Sequence, residues 1–317
     1  MNSGCPKQFK SADEIISILS SRGMIFSQPL VAKKTLNEIN YFFLKGYQKL
    51  LVLESDEKIY KPNCDFKELT NLYFFDKELK ALLLEFLLDI EQKIKTAISN
   101  VISSKYGVKD RIYLMAKNYD QNSPYLSSTL NVIKNQRKIY GQKNKAVKHY
   151  KDTYGYIPFY VLSKCLTFGT IKKLFNVMKQ VDQDDVCNLV LFREIPKKKI
   201  SRTKQMIALI ADVRNMCAHD EIVFSFVHGS IDIGLLPEHG EFKLKTTKNG
   251  DLIQGRKDLF ALLLSMKYFM NRTDYNKMIQ RIDALITKTA SKSTVYSKED
   301  LLDTMNLPLD FVKIRQI

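Results

Sequence analysis

A chain of 317 residues with 45% hydrophobic and 26% charged side chains has the composition of a folded protein of one to three domains, which excludes a disordered chain. Glycine (12) and proline (8) are scarce, which favours helix over sheet. Fifty Lys and Arg against 34 Asp and Glu leave a net charge of +16, and a clustered excess of this size argues for a polyanionic partner such as nucleic acid.

The cysteines Cys5, Cys64, Cys165, Cys187 and Cys217 are odd in number and scattered, with no C-x-x-C pair. They have the pattern of reduced thiols in a cytoplasmic protein. The opening MNSGCPKQFKSADE has no apolar signal core, and no run reaches membrane-spanning length, so a cytoplasmic protein without membrane contact is expected.

In chain order, Ser11-x-x-Glu14 forms a capping-box pattern ahead of Ile15, Ile16, Ile18 and Leu19, with Gly23 as the stop. A second helical segment covers about 29–47, and the two predict a small helical N-terminal unit over 1–62. Asp65-x-x-Glu68 starts the next helix. Apolar residues then recur at helical period for some forty positions, as one long helix or two with a break near Phe75 and Asp76. Its Leu82, Leu83, Phe86, Leu87 and Ile90 stripe is as broad as a bundle core helix requires.

Residues 121–151 contain no acid. They carry Lys134, Arg137, Lys138, Lys143, Lys145, Lys148 and Lys151, with Tyr140 and Tyr150 interleaved. This stretch is a candidate RNA groove: lysines for phosphates and tyrosine faces for unpaired bases. Helices follow at about 158–180, 183–193 and 200–219. Lys197, Lys198, Lys199, Arg202 and Lys204 precede the last of these, and either guide RNA towards its far end or flank a loop. Alternation around Gly and Asn-Gly over 222–254 predicts a short β-hairpin. Residues 256–287 return to helix, and a last short helix begins at Ser297-x-x-Asp300. The fold class is therefore all-α, with a hairpin insertion at 222–254 and a C-terminal helical tail at 291–317.

The stretch IADVRNMCAHDEIVF, residues 210–224, carries the chemistry. On a helical wheel with Asp212 at zero, Asn215 falls at about −60° and His219 at about −20°, sharing one face. Arg214 lies about 140° from His219, so either the helix ends before His219 or two copies of the chain supply the two groups. An imidazole can take a proton from a ribose 2′-hydroxyl, and a guanidinium can stabilise charge on a phosphate. Asn215 can orient the imidazole. The same residues also suit a plain helix end, with a histidine near the negative pole of the dipole and a solvated arginine. Glu91 and Asp89 are candidates to meet Arg214 or Lys95, as a structural ion pair or as catalytic support. No His, Cys or acid spacing matches a metal site, and no phosphate-binding glycine loop occurs, so no metal and no cofactor are expected.

Four blocks in order resemble the Abi-like family of bacterial abortive-infection proteins, the AbiD/AbiF type, within the HEPN superfamily. They are SADEIISILSSRGM with INYFFLKGY, then LTNLYFFDKELKALLLEFLLDIEQKIKTAI, IPFYVLSKCLTFGTIKKLF and VRNMCAHDEIVF. The resemblance implies a HEPN helical bundle, here 63–290. It implies an R-x4-H ribonuclease site formed by Arg214, Asn215 and His219, and a homodimer that brings two motifs together. It also implies a toxin or phage-defence role, with a structured small RNA as a restraining partner. Lys95 stands where the family often has arginine, Lys164 where it has glutamate, and Asp220 where it has a second histidine; Glu221 replaces the tyrosine by which some HEPN toxins are silenced. The sequence thus leaves two functions: an RNA-cleaving HEPN toxin, or a non-catalytic RNA-binding HEPN protein that acts through a small-RNA complex.

Overall fold

The computed structural model describes residues 8–219 and 221–317; Cys5 and Asp220 lie outside these. Helix α1 (Ala12–Ser20) is capped as the sequence predicts: the Glu14 amide donates to Ser11 Oγ and the Ser11 amide to Glu14 Oε2, at 3.3 and 2.7 Å. Gly23 then turns the chain in the left-handed region at φ 92°. The predicted second helix is split into α2 (Pro29–Glu38) and α3 (Tyr41–Lys45), because Asn40 leaves helical geometry and caps α3 through the Phe42 amide. A small antiparallel hairpin follows, β1 (Val52–Leu53) and β2 (Asp56–Tyr60), with Val52 opposite Tyr60. The N-terminal part is therefore not wholly helical. Its Leu19, Leu44, Tyr47 and Leu51 belong to the same continuous core as the rest of the chain.

Helix α4 (Phe66–Tyr106) is one unbroken rod of 41 residues, about 60 Å long. Asp65 caps it through the Lys67 amide. Phe75 and Asp76, the predicted breakpoint, are both buried inside it. The outer elements continue as α5 (Asp110–Tyr113), α6 (Leu126–Lys143), α7 (Lys145–Tyr154), α8 (Phe159–Leu162), α9 (Phe168–Val177) and α10 (Gln180–Val190). Then come α11 (Lys199–Ala218), α12 (Leu259–Phe269), α13 (Arg272–Ala290) and α14 (Lys298–Thr304). The predicted helix over 256–287 is two helices, since Asn271 caps α13 through the Asp274 amide and forces a corner.

Helix α4 is the axis of the bundle, with α8, α10, α11 and α13 packed around it. Helix α11 runs antiparallel to it: Lys80 meets Glu221, three residues past the α11 end, Glu91 meets Arg214, and Lys105 meets α10 beside the α11 start. Every residue of α12 is buried.

The hairpin expected over 222–254 is much smaller than predicted. Only 245–253 pairs with itself, around the Asn249–Gly250 turn: the Ile253 amide donates to Lys245 O and the Thr247 amide to Asp251 O, at 2.9 and 2.8 Å. The rest is irregular backbone with a 3-10 turn at Pro237–Glu241. Val223, Phe224, Phe226, Ile233 and Leu236 are buried, so the alternation is real, but the backbone is satisfied partly by side chains and partly by 256–257, where the His228 and Ile233 amides donate to Lys257 O and Arg256 O. His239 is buried in that turn: Nδ1 accepts from the Leu236 amide and Nε2 meets Gly255 O at 2.8 Å. No helix of the described residues is long and apolar enough to cross a membrane.

Candidate functional site

Helix α11 ends at Ala218. His219 is its C-cap, in extended geometry at φ −119° and ψ 170°, and its amide still donates to Asn215 O and Met216 O. The first of the two alternatives left by the wheel is therefore realised, because the helix stops before the imidazole. His219 is exposed, and its ring has no hydrogen-bond partner among the described residues.

Arg214, by contrast, is held. Its Nε donates to Glu91 Oε2 at 2.8 Å, and the other carboxylate oxygen of Glu91 meets Lys95 Nζ at 2.8 Å. Glu91 is buried and serves both cations from the middle of α4. The Arg214 side chain keeps 27% of its surface exposed, so its Nη face is free to meet an anion. One Nη also lies 3.5 Å from Asn215 Oδ1. Asp89, the other acidic candidate, is exposed and forms no ion pair among the described residues.

The chain immediately after His219 is pinned by a buried carboxylate. Asp76 Oδ1 accepts from the amides of Val223 and Phe224 at 3.0 and 2.7 Å, while Oδ2 accepts from the Tyr47 hydroxyl at 2.8 Å. Lys80 Nζ lies 3.4 Å from Oδ2 and donates to Glu221 O at 3.3 Å. Burial pushes the Asp76 carboxyl up from its ordinary range, opposed by Tyr47, Lys80 and the two amides. Phe224 stacks on Tyr47 at 5.7 Å and meets Phe75 edge-on. Gly46 lies so close to Ile222 that an added Cβ would stand 2.2 Å from Ile222 Cδ1. The imidazole thus sits between two fixed points, the end of α11 and the Asp76 clamp.

Asp76 is the residue sequence reasoning missed. The signal is present in the sequence: an acid inside a long apolar stripe must find donors, beyond marking one end of an optional helix break.

On the same face of α11, Asp212 binds Lys172 Nζ at 2.9 Å and His228 Nε2 at 3.4 Å. His228 Nδ1 accepts from the amides of Ser230 and Ile231, which leaves Nε2 as the protonated nitrogen and makes this histidine a loop staple. Burial, reinforced by Asp76, pushes the Cys217 thiol up to about 12, so it is no nucleophile at neutral pH. Among the described residues no group of three His, Cys, Asp or Glu side chains could hold a metal.

A sequence model of the family described as Abi-like protein matches residues 34–225, more than half of the chain. The chain belongs to the Abi-like family. The matched span holds α4, α11 and His219, and it ends one residue beyond Phe224, the last residue of the Asp76 clamp. No curated protein and no solved structure matches the chain. Membership points this Abi-like protein towards abortive-infection defence.

The predicted basic residues of the Abi-like protein fall into two groups that the fold separates. Lys134, Lys138, Lys143, Lys145 and Lys148 are exposed along the α6–α7 hairpin, and Tyr140 is half-buried against the core. Arg137 is different: it forms an ion pair with the buried carboxylate of Asp110, which ties α6 to α5. Lys197, Lys198, Lys199, Arg202 and Lys204 sit at the start of α11, about 20–30 Å along the helix from His219. Lys199 is engaged by Asp184 and Asn188 at 2.7 and 2.8 Å. Lys198, Lys199 and Lys204 line a cavity of about 530 Å³ that also contains Asp120 and Asp184. This second group is not part of the arrangement around Arg214 and His219.

Proposed function

We propose that this Abi-like protein is a HEPN-type endoribonuclease of anti-phage, abortive-infection defence, which cuts RNA through its 2′-hydroxyl. The observation that carries the reading is the pairing of one immobilised cation with one unengaged imidazole at a single helix end. Arg214 is anchored on buried Glu91, and His219 stands one turn on with its ring free among the described residues. His219 takes the proton of the 2′-hydroxyl, and the freed oxygen attacks the adjacent phosphorus. The Arg214 Nη face stabilises the charge on the non-bridging oxygens, and the 5′-oxygen leaves with a proton. In a homodimer, His219 of the second copy gives that proton. The products are a 2′,3′-cyclic phosphate and a 5′-hydroxyl, and the reaction needs no metal. Asn215 positions the helix end beside Arg214. A structured small RNA restrains the enzyme at rest.

A second reading, a non-catalytic RNA-binding protein acting through a small-RNA complex, is favoured by one observation: Arg214 Nε is already engaged by Glu91.

The test is incubation of RNA-stripped wild type and His219→Ala with total bacterial RNA, with the new ends mapped. Cyclic-phosphate and 5′-hydroxyl ends from wild type alone support the enzyme. Absence of cleavage, with one defined RNA still bound tightly, supports the second reading.

A further inference from the structure

The residues between α7 and α8 gather four tyrosines within eleven positions of sequence. Tyr150 contacts Tyr154 at 5.4 Å and Tyr160 at 6.3 Å, and Tyr154 continues to Tyr156 at 6.3 Å. His149 packs edge-on against both Tyr150 and Tyr154. This is a connected aromatic surface, not scattered side chains, and it is open: Tyr154 is 54% and Tyr160 45% exposed. Lys151, about 60° around α7 from Tyr154, and Lys164, four residues after Tyr160, border it, both exposed and neither in an ion pair among the described residues. A single acid, Asp152, falls in the segment 121–160.

Exposed rings of this area are costly in water unless something covers them, and a rim of unneutralised ammonium groups selects a polyanion as the cover. A duplex presents its charge but hides its base faces, whereas a single strand offers both phosphates and free π-faces. We propose that Tyr150, Tyr154, Tyr156 and Tyr160, with His149, form a stacking platform for unpaired bases of single-stranded RNA whose phosphates lie on Lys151 and Lys164. This deepens the RNA reading above and rests on it.

The position suits delivery to Arg214. Ser163 Oγ, which donates to Tyr160 O at 3.3 Å, also meets Ser99 Oγ of α4 at 3.2 Å. Ser99 lies eight residues beyond Glu91 on α4, about 12 Å along the axis, so the α8 end of the platform packs on the same helix that anchors Arg214.

The test measures binding of the full-length protein to a labelled oligouridylate of about twelve nucleotides and to an RNA duplex of the same length, by fluorescence anisotropy. Tyr154→Leu/Tyr160→Leu removes the two exposed rings and keeps an apolar cover; Tyr154→Phe/Tyr160→Phe keeps the rings. The platform predicts at least tenfold weaker single-strand binding for the Leu pair, wild-type affinity for the Phe pair, and duplex binding unchanged in both. Equal losses on both RNAs, or no loss in the Leu pair with wild type binding RNA well, would overturn the platform and leave RNA binding standing. Wild type that binds neither RNA would overturn the RNA reading and the platform with it.

Discussion

Replacing Asp76 by alanine removes the acceptor for the amides of Val223 and Phe224 and for the Tyr47 hydroxyl at once. A hydrogen bond to a charged group contributes about 1.5–3 kcal/mol, and the three are not additive. The loss confined to 222–224 is therefore about 1.5–3 kcal/mol, because Phe224 keeps its packing against Tyr47 and Phe75. That corresponds to local opening roughly 10- to 150-fold more frequent. Native-state hydrogen exchange reads this directly at the Val223 and Phe224 amides. The amides of Leu262, Leu263 and Leu264, in the fully buried α12, report global stability in the same sample. The expected result is faster exchange at the two clamp amides beyond any change in α12, with cleavage lost and RNA affinity retained. Protection of Val223 and Phe224 that shifts only in step with α12 would refute the clamp.

Glu91→Gln leaves Lys95 and Arg214 side by side without their shared anion, so stability should fall by about 1–3 kcal/mol in urea denaturation, with cleavage down at least tenfold. Gly46→Ala makes the half-buried Ile222 side chain swing its Cδ1 aside, so it should cost about 1 kcal/mol or less, and Ile222→Val, which removes that atom, should abolish the cost in a double-mutant cycle. Arg137→Ala should destabilise by about 2 kcal/mol or more by orphaning buried Asp110, whereas Lys138→Ala should leave stability unchanged and reduce the salt slope of RNA binding by about one. Asp258 caps α12 and burial pushes its carboxyl up to about 6, so the fold favours its neutral form. Its contribution is complete at acidic pH and is lost as pH rises through about 6, on the order of 3 kcal/mol in total. Stability of wild type relative to Asp258→Asn should therefore fall between pH 4 and pH 7 (roughly the limits of that titration), and a flat difference would contradict it.

The helices were legible wherever one face is apolar and the cap is local. Ser11, Asp65 and Ser297 start their helices where the sequence places them, because a cap is read within three residues. Long-range satisfaction was not legible. Asp76 looks like a helix breaker until Val223 and Phe224, some 150 residues on, supply its donors. The alternation at 222–236 looks like a strand of a local hairpin, although its backbone bonds go to Asp76, to His228 and His239, and to the backbone of 256–257 just ahead of α12. Glu91 is legible from sequence as a partner for Arg214 or Lys95, but only the fold shows that one carboxylate serves both, while Asp89 serves neither among the described residues. Arg137 and Lys199 look like their solvated neighbours until Asp110 and Asp184 appear beside them.

The sequence distances inside the site have a further consequence. Arg214 meets Glu91 across 123 residues, and Phe224 meets Asp76 across 148. Such contacts close late, after the loop-closure entropy of the intervening chain has been overcome. During synthesis α4 can form early, but His219 has no second anchor until Phe224 has left the ribosome and folded back to the start of that helix. A chain truncated between His219 and Phe224 carries the arginine and the histidine but lacks the clamp that holds the imidazole from its far side. The order of the polypeptide thus decides when the arrangement can exist: neither nascent nor broken chains hold the imidazole between its two anchors, and only the finished fold does.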